Sequence, residues 1–192
     1  MRAGPGFAEV RTERMLLARP VPDDVDELFA LFSDPRVWTH LPSGIAKERE
    51  EIERKVAAWL AEWDRADLGV WVVRDPGDGR LLGGAGCSLR GGPDDASRFW
   101  NLGYRFRAEE QGRGLATEAA RVACRAAHDV APEVPIVAYL LEHNLASAAV
   151  ARKLGMTLQW RGPDAGNPDP EAIRLVFADR DLTEPQLAAA QA

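Results

Sequence analysis

The stretch whose residue types and spacing could do chemistry is Glu109-Glu110-Gln111-Gly112-Arg113-Gly114-Leu115-Ala116-Thr117-Glu118-Ala119. It lies between an aromatic, strand-like run and an alanine-rich run of high helix propensity. A helix N-terminus carries unpaired backbone N–H groups and the positive end of the helix dipole, so it can hold a phosphate or a diphosphate. Gly112 and Gly114 can take positive φ and let the backbone approach such an anion, and Arg113 can add charge. Two common phosphate loops do not fit. The P-loop pattern needs Gly-Lys followed by Ser or Thr, and neither tripeptide occurs. The dinucleotide pattern GxGxxG, started at Gly112, meets Thr117 at its last glycine, and started at Gly84 it meets Leu89.

A loop of this kind works only if strands and helices hold it. Met15 to Arg19 reads as a first strand, stopped by Pro20 and Pro22. Val25, Leu28, Phe29 and Phe32 follow the spacing of one helix face, and Ile52, Val56, Trp59, Leu60 and Trp63 line a second helix whose intervening Lys, Glu and Arg face water. Val70 to Val73 and Leu81 to Leu89 form a hairpin around the turn residues 75–79, and Arg98 to Phe106 is another strand. A third helix runs from about Gly114 to Asp129, and the continuous apolar run 136–140 reads as a buried parallel strand. A fourth helix, about Leu145 to Leu154, closes at Gly155, before two last strands near 157–161 and 173–178 and a frayed tail from Asp179. The order β-α-α-β-β-β-α-β-α-β-β predicts an α/β fold with a mixed sheet and helices on both faces. One domain spans 12–178, with a lead over 1–11 and a tail over 179–192.

Composition bounds the function classes. The 192 residues carry a net charge of −6, which gives no reason to expect nucleic acid or an anionic membrane as partner and mildly favours cationic acceptors. With 46% hydrophobic and 28% charged residues, the chain is an ordinary globular one. Only Cys87 and Cys124 are present, without CxxC or a His/Cys cluster, so no zinc ribbon or disulfide scaffold is expected and no metal site is assigned. No apolar run approaches the roughly 20 residues of a membrane span, and Met1 to Val10 lacks a signal-peptide core, so a cytoplasmic location is expected.

Gln111, Gly114 and Ala116 spell Gln-x-x-Gly-x-Ala. Asn101-Leu102-Gly103-Tyr104 precedes that motif, Ala116-Thr117-Glu118-Ala119 continues it, and Asn144-Leu145-Ala146-Ser147 follows with Val150 and Lys153-Leu154-Gly155-Met156. On these motifs the chain resembles the GNAT superfamily of N-acetyltransferases, in the branch of ribosomal-protein N-acetyltransferases (RimJ/RimL-like), from about Thr12 to Ala178. The resemblance implies a GNAT-like acyl-CoA N-acyltransferase fold: a central mixed β-sheet with splayed parallel strands, flanked by about four helices. It implies acetyl-CoA as co-substrate, no metal, and a primary amine as acceptor, either a protein N-terminal α-amine or a small-molecule amine. The amine would attack the thioester directly in a ternary complex, and a homodimer is the family-level expectation.

By the same resemblance, strands 100–107 and 136–140 part to admit pantetheine, which pairs with backbone around Phe106 and Arg107. Gln111, Gly112, Arg113, Gly114, Leu115, Ala116 and Thr117 would hold the diphosphate. Asn144 would bond pantetheine or cap the fourth helix; Ser147 would protonate the departing thiolate or bond locally in the first turn. Ala151 stands where many relatives place a Tyr acid, and Asn101 where the branch commonly has Glu. An amide cannot accept a proton, so Asn101 would orient a water, leaving His40, Glu109 and His143 as candidate bases. Trp38 and His40 would line the acceptor pocket, with Trp160 either joining them or filling core. Asp164, Asp169 and Glu171 would attract a cationic amine or be solvated; Glu109 and Glu110 would face water; Glu118 would balance Arg121 or Arg125. The alternative to an enzyme is a non-catalytic acyl-CoA-binding sensor or interaction domain on the same fold.

Overall fold

The computed structural model describes residues 6–192, so the first five residues of the lead lie outside it. Eight strands form one sheet in the order β1-β2-β3-β4-β5-β6-β8-β7. They are β1 (Glu9–Arg11), β2 (Leu16–Ala18), β3 (Val70–Arg74), β4 (Leu81–Arg90), β5 (Phe99–Phe106), β6 (Ile136–Leu141), β7 (Thr157–Pro163) and β8 (Ile173–Ala178). Five helices join them: α1 (Val25–Phe32), α2 (Arg49–Ala66), α3 (Leu115–Val130), α4 (Leu145–Lys153) and α5 (Glu184–Gln191). The mixed sheet and the helix order agree with the α/β reading.

Strand alternation divides the core between the two faces. On β3, Trp71 and Val73 join the cluster containing Ala119, Ala120, Ala123 and Ala127 of α3. Val72, between them, points the other way into a cluster with Leu28 and Leu31 of α1 and Ile52 and Val56 of α2. The alanine stripe of α3 is essentially inaccessible, with Ala119, Ala120 and Ala123 all at 0% exposure. Small side chains there let the helix lie close to the sheet, and that depth brings its N-terminus to the end of β5.

Two features escaped the pattern. Glu9–Arg11 pairs antiparallel with β2, although three residues with mixed polarity give too short a run to register as a strand. The expected frayed tail instead holds α5, which starts at Thr183 with Gln186 accepting from the Thr183 N–H (3.0 Å). Its Ala190 is buried in a cluster with Phe99, Val137 and Val176, and its carbonyl accepts from Arg174 Nη1 (3.1 Å).

The feature that matters for function lies between β5 and β6. They pair in parallel only at Trp100↔Ile136 and Asn101↔Val137. Beyond that point β5 stays with β4 and β6 stays with β8, so the sheet opens.

Because α3 has no room above β4 and β5, Ala123→Leu is expected to lose about 1–3 kcal/mol of stability through overpacking. Urea denaturation measures this, with a fall in midpoint at unchanged slope as the expected result.

Candidate active site

Hydrogen bonds at each end of β5 show which of its groups face the opening. The Trp100 N–H donates toward β6, to the Pro135 carbonyl (2.8 Å), whereas the Arg107 N–H donates toward β4, to the Leu82 carbonyl (2.9 Å). Alternation therefore turns the main-chain groups of Leu102, Tyr104 and Phe106 toward the gap. Phe106 lines the larger of the two cavities that meet there. Arg107 departs from expectation: its N–H is taken, its Nε donates to the Leu81 carbonyl (2.8 Å), and the residue turns away from the opening.

Two cavities, of about 530 and 630 Å³, meet at the gap and share His40, Tyr104, Arg105, Asn144 and Ser147. The larger is lined by Phe106, Gln111, Gly112, Gly114 to Thr117, His143 and Lys153. The smaller lies on the α1/α2 side and is lined by Phe32, Trp38, Lys55, Trp59, Asn101 and Tyr139, among others.

At the far end of the larger cavity, Gly112 and Gly114 take φ of +75° and +81°, the left-handed region that favours glycine. Gly114 is the residue before α3 and no side chain caps the helix, so the N–H groups of Leu115, Ala116 and Thr117 have no intrahelical acceptors. The chain thus presents a short arc of main-chain donors at the positive end of a 16-residue helix.

Arg113 acts differently from expectation. Its guanidinium pairs with Glu110, and its carbonyl accepts from Arg14 Nη1 (2.9 Å). Glu110 is not solvated but buried at 3% exposure, and Arg80 also binds it at 2.9 Å. One buried carboxylate held by two guanidiniums keeps the loop in shape, and Arg80 also reaches Asp78 at 4.0 Å. Glu118 is balanced by Arg14 rather than by Arg121 or Arg125; burial raises its carboxyl pKa, but hydrogen bonding by Thr12 and Arg14 and the Arg14 charge together lower it below the ordinary value.

Asn144 and Ser147 do come together. Asn144 caps α4, its Oδ1 accepting from the Ser147 N–H (3.1 Å), so the capping role holds while both residues line both cavities. Across the gap the Tyr104 hydroxyl donates weakly to the Ser147 carbonyl (3.4 Å). Burial raises the Tyr104 pKa above the ordinary phenol value, so the group stays protonated.

The three candidate bases fare unequally. Glu109 is exposed, near Arg36 (3.7 Å), and lines neither cavity. His143 donates its Nε2 proton to the His40 carbonyl (2.8 Å), an assignment forced because a carbonyl can only accept. His40 stacks on Trp38 at 6.3 Å, and burial, with help from Arg105 and His143, lowers its pKa to about 4. It is neutral at physiological pH and a weak base. Asp164 pairs with Arg174 at the edge of the smaller cavity, while Asp169, Glu171 and Trp160 line neither cavity.

Sequence reasoning missed Lys55, Tyr104, Arg105 and Lys153 as cavity-lining residues. Tyr104 and Lys153 stood inside the quoted motifs without a role. Lys55 lies on the side of α2 read as solvent-facing, yet its Nζ sits over the rings of Phe32 (5.2 Å) and Trp59 (6.0 Å). Among the described residues no group of three or more His, Cys, Asp and Glu side chains could hold a metal. No helix there is long and apolar enough to cross a membrane.

Comparison with known proteins fits this geometry. Residues 14–157 match the acetyltransferase (GNAT) domain family. The chain belongs to that family. It is 28% identical to the uncharacterized protein YkkB of Bacillus subtilis over 151 residues, covering 76% of this chain and 83% of YkkB. An acetyltransferase structure from Agrobacterium tumefaciens aligns with TM-score 0.69 and 26% identity over 90% of this chain and 94% of that one. RimL, a ribosomal L7/L12 alpha-N-protein acetyltransferase solved with coenzyme A, aligns with TM-score 0.74 and 18% identity over 90% and 98%. The family is one of acetyltransferases, and the parted strands of this GNAT chain are the opening just described.

The depressed His40 pKa has a consequence for stability. Between its folded value of about 4 and its unfolded value near 6.5, the unfolded chain binds more protons, so stability falls as pH drops through that window. A His40→Gln variant is expected to lose less thermal stability than the parent between pH 7 and pH 4, which melting curves across that range measure.

Proposed function

We propose that this protein transfers the acetyl group of acetyl-CoA to a primary amine, by direct attack within a ternary complex. The observation that carries the reading is the parting of β5 from β6 after two paired positions, leading straight to the uncapped, glycine-bearing start of α3. A diphosphate fits the donors of residues 111–117, as the coenzyme A bound in the similar RimL structure also suggests. The pantetheine arm would then run along β5 as an added strand, using the inward main-chain groups of Tyr104 and Phe106, beyond the last position paired with β6. Arg113 contributes field rather than contact, and Lys153, lining the same cavity, supplies a free-standing ammonium for a phosphate.

The acceptor enters from the smaller cavity. Its neutral nitrogen attacks the thioester carbon; the C–N bond forms, the C–S bond breaks, and the oxygen's developing charge is met by a β5 N–H. Ser147, on both cavities and at the gap, donates its hydroxyl proton to the leaving thiolate and recovers one from solvent. The nitrogen loses its proton to a water that Asn101 orients from the acceptor side. Because the Asn101 amide cannot take that proton and His40 is a weak base, the acceptor must arrive already deprotonated. The rate is therefore expected to rise with pH along the ionisation of the amine itself.

Calorimetry with acetyl-CoA and a free-thiol assay with an amine panel test the reading. Heat on binding together with acceptor-dependent thiol release supports it; binding without release for any amine would favour a non-catalytic acyl-CoA sensor. Gly112 has open space around it, so Gly112→Asn keeps the turn whereas Gly112→Asp adds negative charge at the diphosphate. The Asp variant is expected to bind acetyl-CoA more than about tenfold weaker than the Asn variant, a difference of about 1.4 kcal/mol. Ser147→Ala is expected to lower kcat by roughly 10²-fold with little change in acetyl-CoA affinity.

A further inference from the structure

The smaller cavity has a charge opposite to that of the chain as a whole. Phe32 lies 5.9 Å from Trp38 and 6.2 Å from Trp59, giving a continuous aromatic wall. Two cations rest on it. Lys55 Nζ is 5.2 Å from the Phe32 centroid, and the Arg105 guanidinium is 3.4 Å above the Trp38 ring. Arg105 spends one N–H on the Val37 carbonyl (2.7 Å). Neither cation forms an ion pair with a carboxylate among the described residues, although both are substantially removed from solvent.

Burial lowers the Lys55 pKa, and Arg105 lowers it further; on the same helix Glu51 raises it weakly, and Arg90 from β4 lowers it. Burial alone brings Arg105 to about 10, so it remains charged at neutral pH. Among the described residues Asp164 is the only carboxylate lining this cavity, and it is already engaged by Arg174. His40 at the rim is neutral. The lining therefore holds three cations against one carboxylate, in a chain whose net charge is −6. Overall charge suggested cationic acceptors; the local field points the other way. Two half-buried like charges without a counter-ion are held at a cost, and a bound anion between them relieves it. The aromatic wall beside them suits a flat or apolar body.

We propose that the acceptor is a small primary amine that also bears an anionic oxygen group, a carboxylate or a phosphate, bound by Lys55 and Arg105 while its nitrogen reaches Asn101 and Ser147. The inference rests on the acetyl-transfer reading of the same cavity. It goes further by assigning the acceptor a second functional group and naming the two side chains that select it.

The test uses matched acceptors on the full-length protein. Phenylalanine and phenylalaninamide form the carboxylate arm; O-phosphotyramine and tyramine form the phosphate arm. In at least one arm the anionic member is expected to have the higher kcat/KM. In Lys55→Met, which keeps the hydrocarbon stem on the aromatic wall, the anionic-to-neutral ratio should fall by about tenfold or more. Equal ratios in parent and variant, or a parent preference for the neutral members in both arms, would overturn the proposal. Should none of the four amines be acetylated, tryptophan fluorescence with coenzyme A present reads the cavity directly, with benzoate, phenyl phosphate and benzyl alcohol as probes. Tighter binding of either anion than of benzyl alcohol, lost in Lys55→Met, supports it; indifference to charge refutes it. Failure of the acetyl-transfer reading looks different: acetyl-CoA gives no calorimetric heat, or it binds without thiol release for any amine of the wider panel, whatever the anion probes do.

Discussion

The separation of two neighbouring parallel strands is the constraint on which the rest of this molecule depends. A sheet interior normally satisfies every main-chain donor and acceptor, and leaving such groups unpaired is costly where water cannot reach. Here β5 is paired along its whole length on one edge only, through eight register positions with β4, while its other edge loses β6 after two. The parting is enforced from outside the gap. β6 is drawn to β8 through five paired positions, and the Asp179 carboxylate and N–H bracket Ile136 at its start, at 2.8 and 3.1 Å. Where the two cavities meet, the Tyr104 hydroxyl of β5 reaches the Ser147 carbonyl of α4 at 3.4 Å. A strand edge left open in this way is a template for an extended ligand rather than a defect.

Charge is organised in two separate places, and each serves a different half of the cleft. At the α3 end, Glu110 is buried beneath Arg80 and Arg113, an arrangement that fixes a mobile type of sequence, Gln-Gly-Arg-Gly, without any apolar anchor of its own. The uncapped start of α3 that this cluster holds in place carries the positive end of the helix dipole. In the smaller cavity, Lys55 and Arg105 lie on aromatic faces instead of on carboxylates. Cation–π contact stabilises a cation at a smaller desolvation cost than full burial and, unlike an ion pair, leaves its charge uncompensated. The acidic surface that gives the chain its net charge is screened within about 10 Å at ordinary ionic strength, so it does not cancel a field set up inside a cavity.

The parts of this structure legible in the sequence are those set by local rules. Gly112 and Gly114 were readable as left-handed positions before a helix because no other residue type tolerates that conformation as well. The apolar stripes of α1 and α2 and the uninterrupted run of β6 announced themselves by period. What could not be read were choices made by distant partners. Glu110 looks like any loop carboxylate until Arg80, thirty positions earlier, is seen beside it. Arg107 adjoins the cleft in sequence yet turns away, because strand alternation depends on a register that only pairing with β4 establishes. Lys55 lies on the polar side of its helix by periodicity, but the 3.6-residue turn places it at the boundary of the stripe, where α1 and the sheet leave a hollow. The α5 helix had a local signal, Thr183 with Gln186 three residues on, that went unread against a short and weakly apolar sequence.

The smaller cavity also depends on a segment with almost no regular structure. The chain from Ser33 to Lys47 crosses the mouth of the cleft in short 3-10 turns begun by Pro35 and Pro42. Trp38 anchors it. The indole N–H donates to the Phe32 carbonyl at 2.7 Å, and the Arg105 guanidinium covers the ring while holding the Val37 carbonyl. A side chain at Gly44 would overlap that indole, so the turn after Pro42 can close over Trp38 only because glycine is there. Arg105 thereby has two tasks: it secures the segment that walls the cavity and supplies charge inside it. Trp38, His40 and Arg105 thus form one unit whose geometry is set by stacking and by hydrogen bonds to the main-chain carbonyls of Phe32, Val37 and His40. A change of acceptor preference through evolution in this protein would be expected to pass first through Lys55, which lies outside that unit and can vary without unfastening the wall.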